Sequence, residues 1–280
     1  MISIIIPTFN NLNYLKICLN SLNKNSIYNH EILLHINDGS DGTLDYIKEK
    51  KIKFTHTTNN VGLCTAINTV SKIAKKDLIL YSHDDMYFCP KWDKFLIDEV
   101  NSLNHNNFYL SGTMIEPGRS AHIQFNCGED FNNFDEKKLL DNVDNLKFYD
   151  HQGSHFAPHL IHKDLWIKVG GFSEEFNPGM GSDPDFNMKL WNENVRIFKG
   201  IDKFRIYHFS SITTRKKGLK KNKGEVTFLK KWHITIKFFK KHYLKSNTKY
   251  EMPLNEPKKN VTYFLDLFIC FLKRIFIFLS

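Results

Sequence analysis

Five short apolar runs, at 2–6, 31–36, 53–57, 77–81 and 108–112, alternate with segments whose apolar residues recur at helical spacing. No other feature constrains the fold as much. Strand, helix and strand in succession make a βαβ unit, and consecutive units build a mainly parallel sheet with helices on its faces. The first run, Ile2-Ser3-Ile4-Ile5-Ile6, is almost wholly β-branched and apolar. That pattern marks a strand buried on both faces. Between the runs, Leu15, Cys18, Leu19 and Leu22 share one helical face. Residues 43–50, 63–74 and 91–103 also read as helices. The rhythm is lost over 113–153, which reads as a loop or flap. It returns with a run at 156–161, helices at 163–169 and 185–194, and strands at 195–198 and 204–209. A helix is predicted over 226–244, and Pro253 and Pro257 mark a linker. The expected class is α/β with a C-terminal helical extension.

The net charge of +9 points to an anionic partner such as a phosphate-bearing substrate or an acidic lipid surface. The excess lies over 215–245, including Arg215, Lys216, Lys217, Lys220, Lys221, Lys240 and Lys241. No helix-turn-helix, zinc-finger or RNP pattern accompanies it, so no nucleic-acid partner is expected. The five cysteines are scattered and never spaced as a zinc or redox motif, which fits a reducing cytoplasm. Met1 leads straight into the first strand without a basic leader. The final stretch, 261–280, is mostly apolar. Phe264, Leu267, Phe268, Phe271, Ile275 and Phe278 fall on one helical face, interrupted by Asp266, Lys273 and Arg274. A spanning helix needs roughly 20 apolar residues with few charges. An interfacial helix on an anionic membrane surface fits better. The expected location is therefore cytoplasmic and peripheral on the inner face of the cell membrane. A helix that covers an apolar patch of its own domain is the alternative.

In open α/β sheets, ligands bind beyond the carboxyl ends of the strands. Here those ends are polar. They carry Pro7-Thr8-Phe9-Asn10, then Asn37-Asp38-Gly39-Ser40, then Asn60-Val61-Gly62, then Ser82-His83-Asp84-Asp85. Two adjacent carboxylates repel unless a cation or proton intervenes. Oxygen ligands suit Mg²⁺ or Mn²⁺ with open positions for phosphates. A solvated turn that caps the next helix is the plainer reading. The dinucleotide fingerprint G-x-G-x-x-G and the phosphate loop G-x-x-x-x-G-K-[ST] are both absent. His151, His155, His159 and His162 invite a zinc reading, but Gly153 and Pro158 argue against one helix presenting them.

Five stretches, taken in order, resemble glycosyltransferase family two. They are IIIPTFNN, NDGSDGT, NNVGLCTAIN, HDDMYFCP and GGFSEEF followed by GSDPDF. The resemblance covers 1–211 and implies a GT-A type catalytic domain: a Rossmann-like, mainly parallel sheet flanked by helices. A basic helical extension would occupy 212–250, and a linker with an amphipathic tail 251–280. On this resemblance Thr8 and Asp38 line the nucleotide pocket, and Pro7, Asn10 and Ser40 shape it. Asn60 and Gly62 close the base or ribose side, and Asp84 faces ribose or sugar. Asp85 is the metal carboxylate for Mn²⁺ or Mg²⁺. His83 stands where the family has the first Asp of D-x-D, and Ile67 where many relatives have Arg. Asp183 matches the catalytic base, with Ser182 replacing a Glu before it. His208 matches a histidine that contacts metal or diphosphate, and Arg215 and Lys216 would steady the diphosphate. His155, His159 and Asp185 are the acceptor-side candidates. For Asp183 and Asp185 a helix-capping role is the alternative, since Pro184 suits a first helical position.

The implied reaction moves a sugar from a nucleotide-sugar, a UDP-sugar favoured, to a hydroxyl of a glycan or lipid-linked acceptor. It proceeds with inversion and metal assistance, and Asp183 is the general base. The departures at His83, Ile67 and Ser182 keep a second reading open, a degenerate nucleotide-sugar or glycan-binding protein.

Overall fold

The computed structural model describes residues 1–118, 122–153, 156–209 and 223–279. A ten-stranded sheet forms its centre, ordered β3-β2-β1-β4-β9-β6-β10-β5, with β7 beside β6 and β8 beside β10. Four strands, β1 (Ile2–Phe9), β2 (Glu31–Asn37), β3 (Lys53–Thr57) and β4 (Leu78–Tyr81), pair in parallel. They alternate with α1 (Leu12–Asn25), α2 (Thr43–Glu49) and α3 (Leu63–Ser71). Strand β1 is paired on both edges, and its four isoleucines are fully buried. The apolar run at the start of the sequence therefore becomes the centre of the core.

Beyond β4 the sheet turns mixed. β9 (His159–His162) runs antiparallel between β4 and β6 (Phe108–Glu116). β10 (Ile197–His208) pairs in parallel with β6 and antiparallel with the short β5 (Met86–Phe88). Helix α4 (Trp92–Ser102) separates β5 from β6. The sequence predicts two strands, at 195–198 and 204–209, where the protein has β10 alone. A register shift between Ile201 and Arg205 absorbs the interruption. The stretch read as a loop or flap, 113–153, carries the end of β6, then β7 (Ile123–Gln124), α5 (Glu136–Asn142) and β8 (His151–Gln152). Cys127, Leu139 and Val143 from it pack with Tyr207 and Phe209 into a second apolar cluster.

Helices α6 (Lys163–Lys168) and α7 (Ser182–Asn192) follow β9. The single helix predicted over 226–244 is broken. α8 (Gly224–Trp232) stops where His233 takes a left-handed φ of 64°. Thr235 then caps a new turn, accepting from Phe238 N–H, and α9 (Ile236–Phe238) passes into a wider turn, Phe239–Tyr243. Phe228, Leu229, Phe238, Phe239 and Leu244 join the main core, so the extension is packed on the sheet domain. The last helix, α10 (Val261–Leu279), buries Tyr263 and Cys270 and leaves Phe264, Phe268 and Phe271 more than half exposed. No helix among the described residues is long and apolar enough to cross a membrane. The basic residues Arg215, Lys216, Lys217, Lys220 and Lys221 lie outside the described residues.

Candidate active site

The carboxyl ends of the parallel strands hold two linked polar groups. At the end of β1, Thr8 Oγ1 donates to Asp84 Oδ2 at 2.6 Å, and Asn11 Nδ2 donates to Asp84 Oδ1 at 3.0 Å. Asp84 is thereby fixed by two neutral donors. Next to it, Asn10 Nδ2 donates to Asp38 Oδ2 at 2.8 Å and to Ser40 Oγ at 3.3 Å, while Asn10 Oδ1 accepts from Gly39 N–H. Asn10 and Asp38 both adopt positive φ, conformations that Asn and Asp tolerate better than other side chains. The Asn10 and Ser40 hydrogen bonds hold the Asp38 carboxyl below its usual range. Pro7 lies inside β1 opposite His35.

Asn60 and Gly62 serve the turn before α3. Asn60 Oδ1 accepts from Gly62 N–H at 2.9 Å. Gly62 has φ +85°, and a Cβ there would collide with the Asn177 side chain. Asn177 uses that space to accept from Cys64 N–H and to donate to Thr65 Oγ1. Asn60 and Gly62 thus shape the turn. Ile67 is fully buried in α3.

His83, Asp85 and His208 bring potential ligand atoms within 4.8 Å of one another. The register explains why. β5 pairs with β10 so that Met86 faces His208, which sets Asp85 beside that histidine. His208 Nε2 stands 3.6 Å from Asp85 Oδ1, and both atoms are buried without a hydrogen-bond partner. His208 Nδ1 is held by Glu116 Oε1 at 2.9 Å, from the end of the neighbouring β6. His83 Nε2 lies 2.8 Å from Tyr81 Oη. Burial alone would lower the His208 pKa. The Asp85 and Glu116 carboxylates outweigh it and raise the imidazole to about 10. Burial works against the Asp85 charge, but His208 reverses that and its pKa ends below the usual value. Burial lowers His83 to about 4, so its imidazole is neutral. Orphaned buried atoms on an imidazole and a carboxylate, with a second neutral imidazole beside them, fit a divalent cation. Among the described residues no other group of histidine, cysteine and acidic side chains converges in this way.

Asp183 sits in the first turn of α7, whose cap is Gly181 rather than Asp183. Pro184 is correspondingly the third helical residue and not the first. The Asp183 carboxyl is half-buried, and its Oδ1 is shut from solvent with no partner. Burial raises its pKa to about 7. Its charge also reaches Tyr81, the residue that holds His83.

Of the acceptor-side candidates, His159 and Asp185 are both buried. His155 lies outside the described residues. His159 is fully buried, with Nδ1 2.9 Å from Tyr109 Oη and its ring packed against Tyr81 and Phe186, so it cannot line an open cleft. Asp185 is also fully buried. Its Oδ1 accepts from Trp232 Nε1 at 2.8 Å and pairs with Lys231 Nζ at 2.9 Å, which fastens α7 to α8. Asp185 therefore joins two helices and faces no cleft. Glu116, Asn11 and His83 are absent from the sequence-based assignment of roles. Asn11 and His83 both stand in quoted motifs next to assigned residues. Glu116 gives no local signal, because the pairing of β6 with β10 is what brings it to His208.

Residues 3–157, more than half of the chain, match Glycosyl transferase family 2. The chain belongs to that family. The matched stretch contains the strand-end residues through Asp85 and ends before Asp183 and His208. This family-two chain is 33% identical over 118 residues to an uncharacterized glycosyltransferase of Rickettsia bellii, covering 40% of this chain and 17% of that one. It is 24% identical over 249 residues to chondroitin synthase of Escherichia coli, covering 74% and 34%. It therefore spans about a third or less of the length of these curated relatives. Among solved structures it is similar to S. aureus TarS 1-349 in complex with UDP-GlcNAc, with a TM-score of 0.56 and 18% identity over 75% of this chain and 60% of that one. The same domain in complex with UDP gives a TM-score of 0.56 at 17% identity, over 74% and 59%. At this identity the likeness establishes the GT-A type fold.

Proposed function

We propose that this chain transfers a sugar from a nucleotide-sugar, a UDP-sugar favoured, to a hydroxyl of a glycan or lipid-linked acceptor, with inversion at the anomeric carbon. The reading is carried by Asp85 Oδ1 and Asp183 Oδ1, two of the three buried carboxylate oxygens that no protein group satisfies among the described residues; the third, Asp185 Oδ2, belongs to a fully buried side chain at the junction of α7 and α8. Unpaired buried polar atoms are costly and mark sites that a ligand or substrate completes. The UDP and UDP-GlcNAc complexes of TarS support a uridine donor.

Asp38, held by Asn10 and Ser40, binds the nucleoside. Asp84, oriented by Thr8 and Asn11, accepts from ribose or sugar hydroxyls. His83, Asp85 and His208 would hold Mn²⁺ or Mg²⁺. A divalent cation there supplies Lewis-acid stabilisation of the departing diphosphate. Glu116 orients His208 and keeps Nε2 aimed at the site. Asp183 removes the proton from the acceptor hydroxyl as it attacks. A pKa of about 7 suits a base working near neutral pH. The chain works in the cytoplasm at the inner face of the cell membrane, with α10 on the anionic surface. Its exposed phenylalanines support that placement.

The test is a panel of nucleotide-sugars with Mn²⁺, read by donor turnover on the purified protein. Turnover of one UDP-sugar, retained donor binding in Asp183→Asn and loss of transfer in that variant are expected. Transfer by Asp183→Asn at the wild-type rate would overturn the base assignment. Donor binding with no turnover by wild type would favour the binding-protein reading.

A further inference from the structure

A cavity of about 870 Å³ lies between α8, the turn at 239–243 and α10, and none of the residues assigned to sugar transfer lines it. Its walls include Lys237, Lys240, Lys241, Lys245 and Lys273, against the single carboxylate of Glu225. Lys241 is matched by Asp266 at 2.7 Å. Among the described residues no carboxylate pairs with the other four. Lys240 is half-buried, and burial lowers its pKa. A desolvated ammonium without a counter-charge is stabilised by an incoming anion.

The adjoining helix narrows the choice of anion. α10 is clamped to the domain along one stripe. Tyr263 packs on Phe238 with ring centroids 5.1 Å apart, Thr235 N–H donates to Cys270 Sγ, and Asp266 accepts from Lys241 and from His242. The opposite arc is apolar and bare, with Phe264 55%, Phe268 58% and Phe276 70% exposed. Exposed apolar surface of this extent on a fixed helix marks an interaction face. Lys273 lies between Ile269 and Phe276 at i+4 and i+3 spacing, so the lysine wall of the cavity borders that face. The cavity floor adds Val226, Leu229 and Ile277. A phosphate joined to an apolar body meets both halves of this surface. Free phosphate meets only one.

We propose that this cavity binds the phosphate headgroup of an anionic phospholipid while the bare face of α10 enters the same lipid surface. The proposal rests on the membrane placement given above, and goes beyond it in naming a headgroup site and its lysines.

The experiment uses the full chain and three probes. They are vesicles of phosphatidylcholine with or without phosphatidylglycerol, dihexanoyl phosphatidylglycerol as a monomeric lipid, and inorganic phosphate. Wild type should sediment with the phosphatidylglycerol vesicles and bind the short lipid by calorimetry. Lys240→Gln should weaken the short lipid on the order of tenfold, the effect of one buried charge contact. Lys230→Gln, on α8 but outside the cavity wall, should leave it unchanged. Phe264→Glu with Phe268→Glu should abolish vesicle binding and retain the short lipid. Equal binding of the short lipid by wild type and Lys240→Gln overturns the proposal, as does inorganic phosphate binding as tightly as the lipid. A dimer that Phe268→Glu dissociates, without any vesicle binding, assigns the face to a second copy and also overturns it. Binding of the short lipid without vesicle binding would retain the cavity and remove only the membrane placement.

Discussion

His208 and Glu116 are joined by a 2.9 Å contact between Nδ1 and Oε1, which leaves His208 Nε2 facing Asp85 Oδ1 at 3.6 Å. A carboxylate behind a metal-binding imidazole fixes its tautomer and raises its basicity. Glu116→Gln should therefore weaken Mn²⁺ binding by about 10–100-fold. Isothermal calorimetry on the metal-stripped protein measures this directly. Unchanged affinity would show that Glu116 has no part in the site.

His83 should act as a ligand, although it stands where the family resemblance leads one to expect an aspartate. A shell of two imidazoles and one carboxylate favours Mn²⁺ over Mg²⁺, because nitrogen ligands suit transition metals better than the harder Mg²⁺. His83→Asp should narrow that preference, and His83→Ala should lower Mn²⁺ affinity at least about tenfold. Competition between the two ions, followed by thermal shift, tests both.

Asp183→Asn should lower kcat by about 10²–10⁴, the usual contribution of a general base, with donor affinity unchanged. In wild type the acid limb of kcat/KM should fall as pH drops through about 7, where Asp183 takes up its proton. The same raised pKa makes an opposite prediction for stability. Below about 3.8 the carboxyl is protonated folded or unfolded, and burial of the group costs no ionisation energy. Between about 3.8 and about 7 the unfolded chain has lost the proton and the folded chain retains it, so wild type loses stability as pH rises, and the loss is complete above about 7. Asp183→Asn should then melt higher than wild type at pH 8 and show little gain at pH 4. Melting curves at the two pH values decide it.

Asp185→Ala should destabilise the fold by about 1–3 kcal/mol, because it strands the Trp232 indole N–H at the junction of α7 and α8, while Lys231 keeps Glu175 and Ser173. Denaturant unfolding gives the magnitude. Donor binding measured below the unfolding transition should match wild type.

Several elements were readable from residues alone, for a physical reason. A strand buried on both faces must be apolar throughout, and 2–6 is. A parallel sheet must place polar residues where its strands end, and Thr8, Asn10, Asp38, Asp84 and Asp85 stand there. These are local demands that spacing records. The helix predicted over 226–244 failed because His233 takes a left-handed conformation, with Thr235 capping the turn that follows, and helical periodicity does not register either feature. His159 reads as polar yet is buried, since Tyr109 supplies its hydrogen-bond partner from another strand.

The sequence by itself determined the βαβ order, the central apolar strand and the polar strand ends, because each depends on residues near one another in the chain. Only the tertiary structure decided the metal trio, the isolation of the Asp183 oxygen and the lysine-walled cavity. The trio requires β5 to pair antiparallel with β10 and β10 to lie beside β6, which brings residues 83, 85, 116 and 208 together. The raised pKa of Asp183 comes from burial, a property of how elements pack and not of their order.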